Sequence, residues 1–282
     1  MYIEPLIKDT VAIALREDLF PLGDISADLI PESRTADAVF VPRQNGVLSG
    51  MYVVEEVARQ VDPLLAIKVF CQEGALVKKG DHIAQVSGKL RSLVTFERTA
   101  LNFLNHLSGV ASYTNAFVEK VKSVSSVTRI LDTRKTTPGL RALEKAAVRA
   151  GGGYNHRGNL SEAVMIKDNH LSGLDISEAV AMARSLWPGR FVEVECETLD
   201  QVLRAAEAGS DIIMFDNMSV TMAAKAKDAL LAPTGHRMPL IEISGGITME
   251  NIADYARLNA DFISLGTITN SAPSLDIGLD IL

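Results

Sequence analysis

From about residue 126 the chain repeats one pattern that limits the folds open to it: a short apolar run, a loop, then an amphipathic helical stretch. Val127–Leu131 precedes helical Leu140–Arg149, Ala163–Ile166 precedes Ile176–Leu186, and Phe191–Val194 precedes Leu199–Ala208. Ile212–Phe215 precedes Val220–Leu231, Leu240–Ile243 precedes Met249–Leu258, and Phe262–Leu265 closes the series. Strands alternating with helices pair in parallel through right-handed crossovers. Six such strands in roughly 140 residues fall short of the ~250 of a complete eight-unit barrel, which favours an incomplete α/β barrel. An open doubly wound sheet is the alternative, weakened because no Gly-x-Gly-x-x-Gly follows any strand.

The first 115 residues have another rhythm. Ile3, Ile7, Val11, Ala14 and Leu15 recur at helical spacing, and Ala36–Val41 reads as a strand. The glycines and paired apolar residues of 73–88 predict a short hairpin or compact β-roll. A long helical region from Leu93 to about Val121 links the halves, with Gly109 a point where it can break. The expected division is an α+β domain over 1–115, the barrel over 116–270, and a tail over 271–282 returning to the first domain.

The chain of 282 residues carries a formal net charge of −7, which argues against non-specific binding to nucleic acid or to an anionic membrane. Thr99 to Val118 lacks Asp, Glu, Lys and Arg, but Asn102, Asn105, His106, Ser108, Ser112, Thr114 and Asn115 punctuate it. A buried helix is expected there rather than a membrane span. No targeting segment is expected at the N-terminus, where Glu4, Lys8 and Asp9 interrupt any apolar core. Cys71 and Cys196 have no disulfide or metal-ligand pattern and suit a reducing cytoplasm.

In parallel α/β folds, chemistry gathers in the loops after the strands. Those loops carry Arg134, Lys135, His156, Arg157 and Lys167 first, Glu195 and Asp216 next, and the glycine turns Ser244-Gly245-Gly246 and Ser264-Leu265-Gly266 last. One cationic side chain is ordinarily a solvated surface charge. Several at successive strand ends repel one another unless an anion sits among them, and carboxylate or phosphate suits the arginine fork. Alternation puts Glu193 and Glu195 on one side of their strand. Glu195 and Asp216 can hold Mg²⁺ or sugar hydroxyls, or else pair with nearby lysines. The glycine turns, one of them leading to a helix start at Thr248, offer backbone N–H groups to a phosphate, or are simply tight turns.

Asp132-Thr-Arg-Lys-Thr-Thr-Pro-Gly-Leu-Arg141, Gly151-Gly-Gly-Tyr-Asn-His-Arg157 and Ile166-Lys-Asp-Asn-His170 strongly resemble the quinolinate phosphoribosyltransferase family, decarboxylating nicotinate-nucleotide pyrophosphorylases. Glu17-Asp18 with Gly23-Asp24-Ile25, Glu97-Arg98-Thr99-Ala-Leu-Asn102, Leu107-Ser-Gly-Val-Ala111 and Glu242-Ile-Ser-Gly-Gly-Ile247 extend the likeness along the whole chain. The resemblance implies an N-terminal α/β sandwich followed by an incomplete α/β barrel, usually in an obligate homodimer. It implies transfer of phosphoribose from phosphoribosyl pyrophosphate to quinolinate, with Mg²⁺, giving nicotinate mononucleotide, CO₂ and pyrophosphate for de novo NAD synthesis.

By motif match, Arg134, His156, Arg157 and Lys167 are expected to hold the quinolinate carboxylates, with Arg98 donated by the partner subunit. Lys135 is expected to face phosphate or pyrophosphate, and Glu195 and Asp216 the ribose and metal. Ser244, Gly245, Gly246 and Gly266 are expected to cradle the 5′-phosphate, joined by Asn270 where many members have histidine. Ser26, Asn105-His106 and Gly158-Asn159 are further departures from the family pattern. Three other readings stand beside this one: a nicotinate-using transferase, a non-catalytic ligand-binding protein, and a Schiff-base lyase using Lys167. Nicotinate, with one carboxylate, leaves part of the cationic group unmatched.

Overall fold

The computed structural model describes residues 4–171, 173–231 and 238–282. The expected contribution of Ile3 to the first helix lies outside them. The chain forms two compact units. The first comprises residues 1–115, 135–152 and 267–282, and the second 116–134 and 153–266. The expected division put 135–152 and 267–270 in the barrel. They cluster instead with the N-terminal residues.

The N-terminal part contains α1 (Glu4–Leu19), β1 (Thr35–Pro42), β2 (Gly46–Val47), α2 (Met51–Val61), β3 (Ala66–Val69), β4 (Leu76–Val77), β5 (Ala84–Lys89) and α3 (Leu90–Lys122). Then follow β6 (Arg129–Leu131), α4 (Arg141–Ala150), β7 (Val164–Ile166), α5 (Ile176–Leu186), β8 (Val192–Cys196), α6 (Leu199–Glu207) and β9 (Ile212–Asp216). The rest is α7 (Val220–Leu231), β10 (Leu240–Ser244), α8 (Ile252–Ala256), β11 (Phe262–Ser264), α9 (Thr267–Asn270) and β12 (Ile277–Ile281).

In the first unit, β12, β1, β5 and β3 form an antiparallel sheet in that order. Phe40 of β1 and Phe96 of α3, both fully buried, meet edge to face with ring centroids 6.1 Å apart. Of the two forms expected over 73–88, a short hairpin or a compact β-roll, the hairpin does not form: β4 pairs with β2, whereas β5 pairs with β1 and β3. Glu73 explains the separation. Its carboxylate accepts the N–H groups of Gly50 and Met51 at 2.7–3.0 Å, which draws the segment to the N-terminus of α2.

Helix α3 runs straight through Gly109 rather than breaking there. A Cβ at Gly109 would lie 2.2 Å from the Pro273 carbonyl oxygen, so the glycine serves close packing. The α4 segment is tied to α3 within the same unit. His106 Nε2 meets Glu144 Oε1 at 2.8 Å, Glu144 Oε2 accepts the Thr137 N–H, and Asn115 Nδ2 donates to the Gly151 carbonyl. His106 thus works inward in this chain. The acidic N-terminal motif is likewise anchored: Asp18 and Asp24 accept the hydroxyls of Thr99 and Thr95 at 2.6 and 3.0 Å.

The second unit holds a six-stranded parallel sheet in the order β6-β11-β10-β9-β8-β7. The first strand of the series therefore lies beside the last. Strands β6 and β7 are edges, so the barrel is incomplete, as the residue count implies. Tyr154 makes an isolated parallel bridge to Leu131 along the free edge of β6, through bonds to Ile130 and Asp132. Burial follows the strand alternation. Val192, Val194 and Cys196 of β8 are fully buried on one face, with Glu193 and Glu195 on the other. Helix α6, capped by Thr198 and Gln201, buries Val202 and Ala205 and lies against β8 and β9. Helix α8 is shorter than expected, because Asn251 Oδ1 accepts the Thr248 N–H and holds 248–251 as a turn.

Candidate active site

At the carboxyl ends of the parallel strands the second unit gathers the chemistry expected of it. Asp132, directly after β6, is fully buried; its Oδ1 accepts the His156 N–H at 2.9 Å and its Oδ2 the Asn155 side-chain amide at 2.6 Å. Those bonds fix the segment that bridges β6, and with it the two cationic residues that follow. His156 points inward, only 10% exposed, its Nε2 lying 3.0 Å from Glu193 and 3.5 Å from Glu242. Its Nδ1 accepts the Arg157 N–H at 2.8 Å. The Arg157 guanidinium is held by the Ala163 carbonyl at 3.0 Å and lies 3.5 Å from Met165 Sδ. Burial, together with the nearby charge of Arg134, lowers the Arg157 pKa. The two guanidiniums are therefore close enough to repel, and an anion relieves that repulsion.

Burial opposes a charge on His156, yet Glu193 and Glu242 outweigh it and push the imidazole up to about 10. Burial also raises Glu193. The three groups titrate as one cluster that retains a proton the unfolded chain would lose near neutrality. The Arg157 N–H requires a lone pair on Nδ1, so in this geometry the ring carries one proton, on Nε2 facing the carboxylates, and the further proton that the cluster retains sits with Glu193, which burial raises. That tautomer tells against reading the cluster as a metal centre, although its three ligand atoms lie within 4.8 Å of one another. A metal on Nε2 would require the proton on Nδ1.

Lys167, after β7, forms a close ion pair with Glu195 at the end of β8. The pairing that the sequence left open is thus present. The Lys167 N–H also donates to His170 Nδ1 at 3.1 Å, which closes the 3-10 turn of Asp168–His170. Asp216, ending β9, is raised first by burial and then by the charge of Glu195. The Glu195 carboxylate on the adjacent strand thus burdens Asp216, as happens where a cation is to be held. Cys196, beside them in sequence, is no nucleophile: burial pushes its thiol up to about 12.

Asn217 follows Asp216 with a left-handed φ of 53°, its side-chain amide donating to Asp216 Oδ2 at 2.8 Å and its N–H to the Ser244 carbonyl. Gly245 has φ 85°, and a Cβ there would lie 2.2 Å from Asn217 Oδ1. At Gly246, with φ 63°, a Cβ would meet nothing within 4 Å, which leaves the backbone open to a ligand. Gly266 sits just past β11, where the Leu265 N–H donates to the Leu131 carbonyl.

The site residues Arg134, His156, Arg157, Lys167, Glu195, Asp216, Ser244, Gly245, Gly246 and Gly266 all belong to this unit. Arg98, Lys135 and Asn270 belong to the other. There Arg98 is exposed on α3, the Lys135 carbonyl accepts the Thr269 hydroxyl at 2.7 Å, and Asn270 Oδ1 accepts the Ser271 hydroxyl. The departure at Gly158-Asn159 is closed by Glu162, which accepts the Gly158 N–H at 2.6 Å and the Asn159 amide at 2.9 Å. Sequence reasoning gave no role to Asp132, Glu242, Glu193 and Asn217. Their signal was a charge inside an apolar strand, as in Leu240-Ile-Glu-Ile-Ser244, or a polar residue at a strand end.

Fold and site together define an incomplete parallel α/β barrel whose strand ends set a cationic cluster beside paired acids and glycine turns, a class of protein suited to small polyanions. Residues 24–108 match the family described as quinolinate phosphoribosyl transferase, N-terminal domain, and residues 110–280 match its C-terminal domain. The chain belongs to the quinolinate phosphoribosyltransferase family. It is 38% identical over 263 residues to a probable nicotinate-nucleotide pyrophosphorylase [carboxylating] of Archaeoglobus fulgidus, covering 93% of this chain and 99% of that one. It is 37% identical over 280 residues to the nicotinate-nucleotide pyrophosphorylase [carboxylating] of Mycobacterium leprae, covering 97% and 96%. The solved nicotinate-nucleotide pyrophosphorylase of Francisella tularensis superposes with a TM-score of 0.92 at 36% identity, covering 99% of this chain and 96% of that one.

Proposed function

We propose that this protein transfers the phosphoribosyl group of phosphoribosyl pyrophosphate to quinolinate with loss of CO₂, producing nicotinate mononucleotide and pyrophosphate for NAD synthesis. Family membership over nearly the whole chain supports the reaction. The observation that supports the acceptor's identity is the gathering of Arg134, His156, Arg157 and Lys167 in one unit, beside the carboxyl ends of its strands, which a dicarboxylate matches in charge.

Arg134, Arg157 and Lys167 hold the two ring carboxylates, with His156 as the inner wall of the same clamp. A clamp that fixes both carboxylates fixes the ring nitrogen in line with the sugar's anomeric carbon. The nitrogen lone pair forms the new bond to that carbon as its bond to the pyrophosphate oxygen breaks. Glu195 and Asp216 stabilise the positive charge that develops on the ribose. Ser244, Gly245, Gly246 and Gly266 receive the 5′-phosphate. The ribosylated ring nitrogen is then an electron sink. The bond to the neighbouring carboxylate breaks, its electron pair stays on the ring carbon, and a solvent proton replaces CO₂. That step asks the protein only to hold the ring.

Glu195 and Asp216 suit Mg²⁺, since they are neighbouring carboxylates and Asp216 is held above its ordinary pKa by burial and then by the charge of Glu195. When bound, Mg²⁺ supplies positive charge to the pyrophosphate group. The protein acts as a homodimer in which Arg98 crosses to the partner's site. Cytoplasmic residence fits its two free cysteines, and among the described residues no helix is long and apolar enough to cross a membrane.

The purified protein, given quinolinate, phosphoribosyl pyrophosphate and Mg²⁺, is expected to form nicotinate mononucleotide and CO₂ in equal amounts. A well-folded preparation that forms neither contradicts the assignment.

A further inference from the structure

Glu242 and Glu193 stand deep in the barrel, on strands separated by β9, with side chains 0% and 2% exposed. Neither is placed to meet a ligand. Both oxygens of Glu242 and Oε1 of Glu193 lack a hydrogen-bond partner, a costly state for buried carboxylates. What they share is His156. Its Nε2 faces both, while its Nδ1 takes the Arg157 N–H and its own N–H goes to Asp132. The His156–Arg157 arm is thus pinned at three points, and only the imidazole reaches the barrel interior.

We infer that Glu242, with Glu193 beside it, is a positioning residue for the acceptor clamp: it seats the His156 imidazole, which in turn sets the backbone of Arg157. The inference rests on the quinolinate reading of this site and adds the residues that set its acceptor affinity from behind. The carboxylates restrain the ring rotation of His156. Without that restraint the Nδ1 bond to the Arg157 N–H is lost, and the guanidinium leaves the position fixed by the Ala163 carbonyl. Asp216, Gly245 and Gly246, assigned to the donor, make no hydrogen bond to His156 or Arg157. A defect behind the imidazole therefore falls on one substrate.

The test is Glu242→Leu in the full-length protein, with Glu242→Gln as the conservative variant whose amide oxygen keeps a polar, isosteric wall facing Nε2. Glu242→Leu is expected to raise the KM for quinolinate roughly tenfold, the scale of one lost polar interaction of a buried charged group. The KM for phosphoribosyl pyrophosphate and kcat should stay within about twofold, and Glu242→Gln should recover most of the loss. Equal changes in both KM values, or a fall in kcat alone, overturns the inference. Should the leucine variant fail to fold, the ¹⁵N imidazole spectrum of Glu242→Gln decides. The His156 signal must move if Glu242 seats the ring, and an unmoved signal overturns the inference. Wild-type protein that forms no nicotinate mononucleotide while the His156 signal still moves would reject the proposed reaction and leave the seating of the imidazole standing.

Discussion

In the proposed reaction Arg134 and Arg157 bind a charge that the donor substrate does not place near them, so their loss should be felt by one substrate. Arg134→Ala and Arg157→Ala are each expected to raise the quinolinate KM by at least about tenfold, since hydrogen bonds to charged groups contribute ~1.5–3 kcal/mol. Equal shifts for phosphoribosyl pyrophosphate in steady-state kinetics would contradict the division. Asp216→Asn should act on the other axis, lowering kcat by about a hundredfold or more as a charge opposite the developing cation is removed. An unchanged kcat would take Asp216 out of the site. At this scale the sequence was legible where residue type declared chemistry: basic side chains after strands, acids at strand ends, glycines in turns. It was silent on Glu242 and Asn217. A glutamate between Ile241 and Ile243 reads as an anomaly until the histidine it faces, far away in the chain, is known.

Among the elements, the alternation of apolar strands and amphipathic helices was enough to set the order of the barrel, because period and burial are local properties. Pairing across sequence distance was not. The two halves of 73–88 look like a hairpin, and only the Glu73 carboxylate at the N-terminus of α2 explains their separation into different sheets. Gly109 carries the same lesson. A glycine in a helix reads as a weak point, yet here it marks close approach to the Pro273 carbonyl. Gly109→Ala gains about 1 kcal/mol of helix propensity but forces backbone apart, at a cost of ~1–3 kcal/mol or more. We expect a lower thermal midpoint by calorimetry. A higher one would mean that propensity wins and that the contact is slack.

For the molecule as a whole, a net charge of −7 coexists with cations gathered at one set of strand ends, and acids set the balance around them. One consequence concerns stability. The proton held by the His156–Glu193–Glu242 cluster moves from the histidine's ordinary 6.5 to about 10 on folding, so its contribution is fully present below pH 6.5 and is lost as pH climbs through about 10. Denaturant midpoints should fall across that window, and His156→Asn should flatten the slope; parallel slopes would disprove the cluster's hold on its proton.

The central claim is that the cationic cluster is matched to a small aromatic diacid, and direct binding measures it. Calorimetric titration of the folded protein with quinolinate, and separately with nicotinate, should give affinity at least about tenfold tighter for quinolinate, a difference of ~1.4 kcal/mol for the second carboxylate. Nicotinate binding as tightly as quinolinate, or more tightly, would contradict it.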